Sequence, residues 1–213
     1  MPNRIESVAA LTELGRVQLS RHFFMREMLY SEVANFHGMP NIPDDPDLAI
    51  EVGKRLAEQI LEPLQDAFGA VAIRSAYRSP SVNGYCNEMF EKGERAYFCS
   101  PNEYNRARHI WDQRDADGFL GATVSIVIPW YLSRFAESQD PRPLAWWIRD
   151  HVPAYDSMSF YPWLCAFNIR WYEGDSDQEI RLSDGVNSEV LTRRGMANFD
   201  GDHSASYRGF PGA

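Results

Sequence analysis

The sequence predicts a single α+β domain in which N-terminal helices pack on a small, mostly antiparallel sheet. Three observations predict this fold class. The length of 213 residues suits one domain of ordinary size. A hydrophobic content of 44% with 13% aromatic residues is typical of a globular chain. One long amphipathic run precedes several short runs of β-branched and aromatic residues.

The N-terminal third is predicted to be mainly helical. Residues 1–18 show little periodicity and are expected to form a strand or an extended arm. Ser20 and Ser31 are expected to cap two short helices, and Gly38 to end the second one in the left-handed conformation. The main core helix follows, and Pro63 should kink or end it. Its apolar face consists of Leu48, Val52, Leu56, Ile60 and Leu64.

Short strands are predicted in the rest of the chain. The apolar run 71–73 is expected to be a buried strand that turns at Ser79-Pro80, because proline cannot donate to a ladder. Residues 143–148 are expected to form an amphipathic helix. Further strands are expected at 126–128, 156–160, 166–171 and 179–182. A C-terminal extension at 184–213 would be ordered only by docking on the domain or by assembly into something larger.

The most distinctive stretch runs from Ile73 to Asn83 and reads Ile-Arg-Ser-Ala-Tyr-Arg-Ser-Pro-Ser-Val-Asn. Arg78 lies at a strand end beside a tight turn, where a guanidinium can bind a carboxylate through two parallel hydrogen bonds. We expect Arg78 to be structural, paired with an acid of the same fold or with backbone carbonyls at the strand edge. The stretch resembles the S-G-Y-R-S-P-x-V-N signature of the M15 peptidases, the family of D-alanyl-D-alanine carboxypeptidases and phage endolysins. Weaker similarities extend the resemblance over roughly residues 17–172, which implies an M15-like fold and a substrate-facing Arg78.

The zinc ligands that the resemblance implies have no clear counterpart. The family pattern H-x-x-G-x-A-x-D-I-x-V-P binds zinc through its histidine and aspartate. Aligned on His109, only the histidine matches; aligned on Gly121, the two ligand positions hold Gly118 and Ser125. The family's E-x-x-W-x-H, with its general base and last ligand, is missing from 157–171. Because a catalytic zinc needs three protein ligands and a nearby base, we expect no catalytic residues, no metal and no cofactor.

A rearranged metal site is the alternative, and it would make the protein an active zinc D,D-peptidase that cleaves peptidoglycan crosslinks. The candidate ligands are His109, Asp112, Asp115, Asp117 and His203. The acidic run 112–118 has the oxygen density of a calcium loop but not EF-hand spacing, so a solvated turn is the simpler interpretation. His22 and His37 lack a partner at ligand spacing and are expected to be structural.

The segment 84–117 is predicted to be an insertion and a contact surface. It is much longer than the corresponding connection of the M15 pattern, and long connections in compact domains are usually functional. It contains aromatic residues of the kind that anchor interfaces: Tyr85, Phe90, Tyr97, Phe98, Tyr104 and Trp111. Alternatively, these rings fold back and fill the vacant site.

Composition excludes several classes of function. A net charge of −9 argues against a nucleic-acid partner. No apolar run approaches the roughly 18 residues of a spanning helix, and no signal-like apolar region is present, so we expect no membrane insertion and a cytoplasmic site of synthesis. The three cysteines are expected to be free and buried, with a Cys86–Cys99 disulfide as the alternative.

These features together predict a catalytically degenerate M15-like protein that works by binding or assembly. The resemblance implies a bacterial or phage setting and a role as a virion component, such as a capsid spike or decoration protein. The expected partners are other protein subunits and cell-wall or capsular glycans.

Overall fold

A computed structural model describes residues 5–183 and 187–212. The helices within them are α1 (Val8–Arg16), α2 (Met25–Met28), α3 (Glu32–His37), α4 (Pro46–Leu56), α5 (Glu62–Phe68), α6 (Pro80–Glu91), α7 (Asn102–Asn105), α8 (Leu132–Ser138) and α9 (Arg142–His151). The strands are β1 (Ala72–Ser75), β2 (Gly121–Val127), β3 (Ser157–Phe160), β4 (Phe167–Tyr172), β5 (Glu179–Ser183) and β6 (Ser188–Thr192).

The strands form one six-stranded sheet in the order β1-β2-β4-β3-β5-β6. Neighbouring strands are antiparallel except β3 and β5, which pair in parallel. The β2–β4 ladder runs from Gly121 opposite Tyr172 to Ile126 opposite Phe167 and lies between β1 and β3. The predicted α+β class with a mostly antiparallel sheet is confirmed.

Side chains alternate strictly along the three central strands, since successive residues of a strand point to opposite faces. The apolar set is buried in the main core: Val124, Ile126, Met158, Phe160, Phe167 and Ile169. The intervening set is polar: Thr123, Ser125, Ser157, Ser159, Asn168 and Arg170. The sheet therefore has one face packed in the core and one hydrophilic face.

The predicted core helix continues past Pro63 by means of a local change in hydrogen bonding. Asp45 caps α4 by accepting a hydrogen bond from the Leu48 N–H. Residues 57–61 then form a π-helical turn, in which the N–H of Glu62 donates to the carbonyl of Ala57. Proline has no N–H to donate, and the chain remains helical through Pro63 into α5. Of the two predicted effects of Pro63, a kink or an end of the helix, the end does not occur, and the departure from α-helical hydrogen bonding lies at 57–61, before the proline.

The N-terminal region differs from the prediction in two places. Residues 8–16 form α1 rather than an extended arm, because Ser7 accepts a hydrogen bond from Ala10 and caps the helix. The helix predicted to start at Ser20 begins only at Met25, since the Ser20 hydroxyl donates instead to the Glu62 carboxylate.

The turn predicted at Ser79-Pro80 opens the helix α6. The Ser79 hydroxyl caps it by accepting from the Val82 N–H, and Pro80 occupies its first turn, where a missing N–H costs nothing. The predicted caps at Ser31 and Gly38 of α3 are confirmed.

The described part of the C-terminal extension docks within the molecule. Tyr207 and Phe210 are buried in the main core. The indole N–H of Trp147 donates to the Pro211 carbonyl at 2.8 Å. Docking on the domain, one of the two expected reasons for an ordered extension, is therefore present. Residues 184–186 and 213 of the predicted extension lie outside the described residues.

All three cysteines are free and buried, which confirms the prediction of free thiols over a Cys86–Cys99 disulfide. In the part of the chain that the structure describes, no helix is both long and apolar enough to cross a membrane.

Candidate functional site

A cleft with a volume of about 430 Å³ opens on the hydrophilic face of the sheet. Its floor is formed by Ser75 of β1 and by the polar residues of β2, β3 and β4. The floor residues are Ser75, Thr123, Ser125, Ser157, Ser159, Asn168 and Arg170. The walls are Arg78, Phe98, Cys99, Ser100, Tyr104, Asn105, Arg108, His109 and Tyr161.

The segment 105–111 is held tightly against the sheet and forms one wall. The carbonyls of Arg108 and His109 accept hydrogen bonds, each 2.8 Å long, from the N–H groups of Thr123 and Arg78 respectively. Gly121 permits this approach, because a Cβ at that position would collide with the carbonyl oxygen of Ala107. The wall is therefore a fixed part of the domain.

The cleft contains three arginines, of which one is neutralised. The buried Arg170 donates to Asp156 at 3.0 Å and to the carbonyl of Ala107. Burial, with the neighbouring charge of Arg108, lowers the pKa of Arg170, and the Asp156 carboxylate opposes that shift. The Arg170 guanidinium is therefore paired within the protein, and its charge is compensated by Asp156.

The other two guanidiniums lack a carboxylate partner among the described residues. Arg78 Nη1 lies 3.3 Å from Cys99 Sγ, and the Arg108 guanidinium lies 4.6 Å from the centre of the Tyr104 ring. The expectation that Arg78 pairs with an acid or with backbone carbonyls is therefore wrong. The physical reason is local: none of the described residues that line the cleft carries a carboxylate.

His109 is neutral in this environment. Its Nδ1–H donates to the carbonyl of Ala76 at 2.8 Å. Burial, followed by the positive charge of Arg78, lowers the pKa of His109 to about 3. Nε2 forms no hydrogen bond with the described residues. Because none of their buried side-chain nitrogens or oxygens lacks a partner, Nε2 is accessible, and its lone pair faces the cleft.

Cys99 is a protonated thiol rather than a reactive thiolate. Burial raises its pKa more than the nearby Arg78 lowers it. Its sulfur lies 2.9 Å from the side-chain oxygen of Asn83, to which the thiol donates. Burial likewise raises the pKa of Tyr161. The cleft thus offers hydrogen-bonding groups and positive charge, without an activated nucleophile.

The residues that the zinc alignment singled out are only partly brought together. His109 and Ser125 line the cleft, and Ser125 pairs with Asn168 across β2 and β4. Gly118 lies in an exposed turn with φ of +85° and does not line the cleft. These groups do not suit a divalent metal ion, which needs three anionic or neutral ligands close together. The cleft offers one imidazole and one protonated thiol beside two guanidiniums whose positive charge is not compensated.

The other candidate metal ligands serve local structural roles. Asp112 accepts hydrogen bonds from the N–H groups of Asp44 and Asp45 and from the Tyr77 hydroxyl, and so fixes the loop before α4. Asp115 accepts from two backbone N–H groups of its own turn and from the Tyr172 hydroxyl. Asp117 lies in the same turn, exposed, and faces a neighbouring groove.

His203 is on a different surface, where it stacks on Trp146 with ring centres 4.2 Å apart and contacts Asp150. His37 bonds to the Tyr97 hydroxyl at 2.8 Å and lies beside Tyr85. Neither contributes to the cleft.

One group of metal-type ligands does converge in the described chain, namely His22, Glu62 and Asp66. A guanidinium already fills it, since Arg21 donates to Asp66 at 2.6 and 2.7 Å and to Glu62 at 3.2 Å. Burial opposes ionisation of Glu62, but hydrogen bonds from Ser20, His22 and Arg21 lower its pKa to about 2. The cluster is an ion-pair network that ties the N-terminal segment to α5.

The predicted contact residues of segment 84–117 separate into three groups by their burial. Trp111 is fully buried and donates its indole N–H to the Thr123 carbonyl, so its prediction as a surface contact is wrong. Tyr85, Tyr97 and Phe90 are half-buried. Phe98 and Tyr104 are 71% and 59% exposed and stand at the cleft. The end of the segment, at Trp111, therefore belongs to the core, whereas its middle, at Phe98 and Tyr104, is exposed to solvent.

Arg108 and most of the floor residues were not predicted from the sequence. The available signal was the strict alternation of polar and apolar residues in β2, β3 and β4, because a hydrophilic face of three adjacent strands marks an open surface. Arg108 carried no separate signal, since its position depends on how segment 105–111 docks.

The cleft continues into a larger groove of about 1010 Å³ that shares Tyr104, Arg108, Ser157, Ser159 and Arg170 with it. This groove has mixed charge, because seven carboxylate side chains and five arginines line it.

No family model, no curated protein and no solved structure matches the chain. The resemblance to the M15 peptidases therefore rests on the motif residues quoted above.

Proposed function

We propose that this protein is a binding protein whose cleft captures an anionic ligand, most simply a carboxylate, without a metal ion. The observation that carries the proposal is the pair of guanidiniums, Arg78 and Arg108, that face the cleft without a carboxylate partner among the described residues. Arginine binds carboxylates through a planar fork of donors, and a half-buried charge without a partner gains from a bound anion.

The lining supports binding rather than hydrolysis. His109 offers a lone pair, but among the described residues its ring is held by the Ala76 carbonyl rather than by a carboxylate, and Cys99 is protonated. An acyl-transfer or hydrolytic centre needs an activated nucleophile, or a metal-bound water with a base within reach. The M15 resemblance agrees, since the position of the substrate-facing arginine is retained while its zinc ligands are not.

Binding could serve the assembly role that the resemblance implies, in a virion component that engages other subunits or a cell surface. Phe98 and Tyr104 are the predicted contact residues that remain accessible for such a role. Sedimentation of the purified protein tests assembly: a monomer at all concentrations would leave ligand capture as the only supported activity.

The decisive test combines metal analysis with binding and hydrolysis. Dialysed protein is measured for zinc and then mixed with a panel of small carboxylates, including N-acetyl-D-alanyl-D-alanine. We expect no stoichiometric zinc, no hydrolysis, and binding of at least one carboxylate that Arg108→Met weakens at least about tenfold. The control Arg74→Met removes an exposed arginine outside the cleft. One equivalent of zinc with chelator-sensitive hydrolysis would establish the active D,D-peptidase instead.

A further inference from the structure

We propose that the ligand of the cleft is a glycan that ends in an acidic sugar, whose carboxylate meets Arg78 and Arg108 while its ring packs on the aromatic residues at the mouth. This inference rests on the proposed anion binding and adds the chemical class of the ligand. It is carried by the exposed rings, the unpartnered floor hydroxyls and the charge pattern of the adjoining groove.

Exposed rings lie in the cleft and next to it. Phe98 and Tyr104 line the cleft with exposed fractions of 71% and 59%. The half-buried Tyr161 also lines the cleft, and the 62% exposed Trp163 lies beside it with ring centres 6.1 Å apart. Sugar rings present flat C–H faces together with polar edges, and amphipathic aromatic side chains match both features. Large exposed rings grouped at a cleft mark a binding surface.

The floor is equipped for hydroxyl groups. In the described chain, the side-chain oxygens of Ser75, Ser125 and Ser159 form no hydrogen bond with the protein. None of them is buried without a partner, so they are accessible from the cleft. The Asn168 amide donates to Tyr161, which leaves its oxygen open. Groups that donate and accept with equal ease suit the many hydroxyls of a sugar.

A peptide ligand fits this surface less well. Peptides commonly bind by adding a strand to a sheet edge and inserting apolar side chains into pockets. Here the cleft lies over the hydrophilic face of the sheet and spans β2, β4 and β3, and of the edge strand β1 only Ser75 lines it. Its floor consists of serine, threonine, asparagine and arginine side chains rather than apolar pockets.

The charge pattern limits the ligand to one acidic residue at its end. Seven carboxylates line the adjoining groove against five arginines, two of which it shares with the cleft, and the protein bears a net charge of −9. The carboxylates of this groove would repel a polyanion. The neutral part of a glycan could lie in the groove while its terminal carboxylate binds in the cleft. The positive part of the surface is thus matched to a single carboxylate.

The test compares two trisaccharides that differ only in the terminal residue, glucuronic acid in one and glucose in the other, by calorimetry or ligand-observed NMR. We expect the acidic trisaccharide to bind at least about tenfold more tightly and its advantage to fall with added salt. Arg108→Met should reduce the difference between the two sugars, because it removes one of the two guanidiniums that meet the carboxylate but leaves the rings.

Trp163→Ala should weaken both sugars several-fold, while Phe36→Ala, which removes an 83% exposed ring away from the cleft, should change neither. Equal binding of the two sugars would overturn the role of the carboxylate. Binding of small carboxylates without any sugar would overturn the glycan and leave the proposed function standing. Failure of sugars and carboxylates alike would overturn both.

Discussion

Glu62 is predicted to be the carboxylate on which the N-terminal segment depends most. It is 8% exposed and accepts four hydrogen bonds, from the Ser20 hydroxyl, the His22 N–H, His22 Nδ1 and Arg21 Nη2. These bonds hold its pKa at about 2 against an ordinary value of 4.5. The difference corresponds to roughly 3 kcal/mol of stability at neutral pH, at about 1.4 kcal/mol per pKa unit. Because Arg21 and His22 are partly exposed, solvent screening reduces this to about 2 kcal/mol.

The sign follows from the direction of the pKa shift. A carboxyl whose pKa is lowered by folding stabilises the protein above pH 4.5, and that stability is lost as the pH falls toward 2. Urea unfolding of wild type and Glu62→Gln should therefore differ by about 2 kcal/mol at pH 7 and converge as the pH approaches 2. Glu13→Gln, which removes an exposed carboxylate paired with Arg16, is the control and should change stability by less than about 0.5 kcal/mol. A difference that is the same at pH 7 and pH 2 would refute the linkage.

Three further predictions concern the wall of the cleft and the thiols. Trp111→Ala should lower the free energy of unfolding by about 3–5 kcal/mol, and a loss below about 1 kcal/mol in urea unfolding would show that the segment is peripheral. Gly121→Ala should be destabilising as well, because its methyl group collides with the Ala107 carbonyl; an unchanged melting temperature would contradict that close approach. The native protein should react slowly with a thiol reagent, whereas unfolding without reductant should release all three thiols; release of one alone would reveal a Cys86–Cys99 disulfide.

The fold class and the central helix were predictable because they depend on local periodicity. Leu56, Ile60 and Leu64 recur at helical spacing, and all three are fully buried. The course of the helix through Pro63 was not predictable, since it includes a π turn at 57–61 that no sequence pattern indicates.

The site was predictable only in part. Arg78 and Ser125 were singled out by their motif positions, and both line the cleft. The partners that decide their chemistry come from segments distant in sequence, so the thiol of Cys99 and the charge of Arg108 were not assigned. Aromatic content likewise does not distinguish a core ring such as Trp111 from an exposed one, because burial depends on how the segment folds back on the sheet.

The most direct measurement of anion capture is the NMR response of the arginine side chains to added ligand. The Nε–H resonances of Arg78 and Arg108 are assigned by substitution and followed while a carboxylate ligand is titrated into dialysed, chelator-treated protein. We expect saturable shifts of these two resonances and no shift of the Arg74 resonance, because two guanidiniums hold the anion without a metal. Resonances that stay fixed, or that respond only after zinc is added, would contradict it.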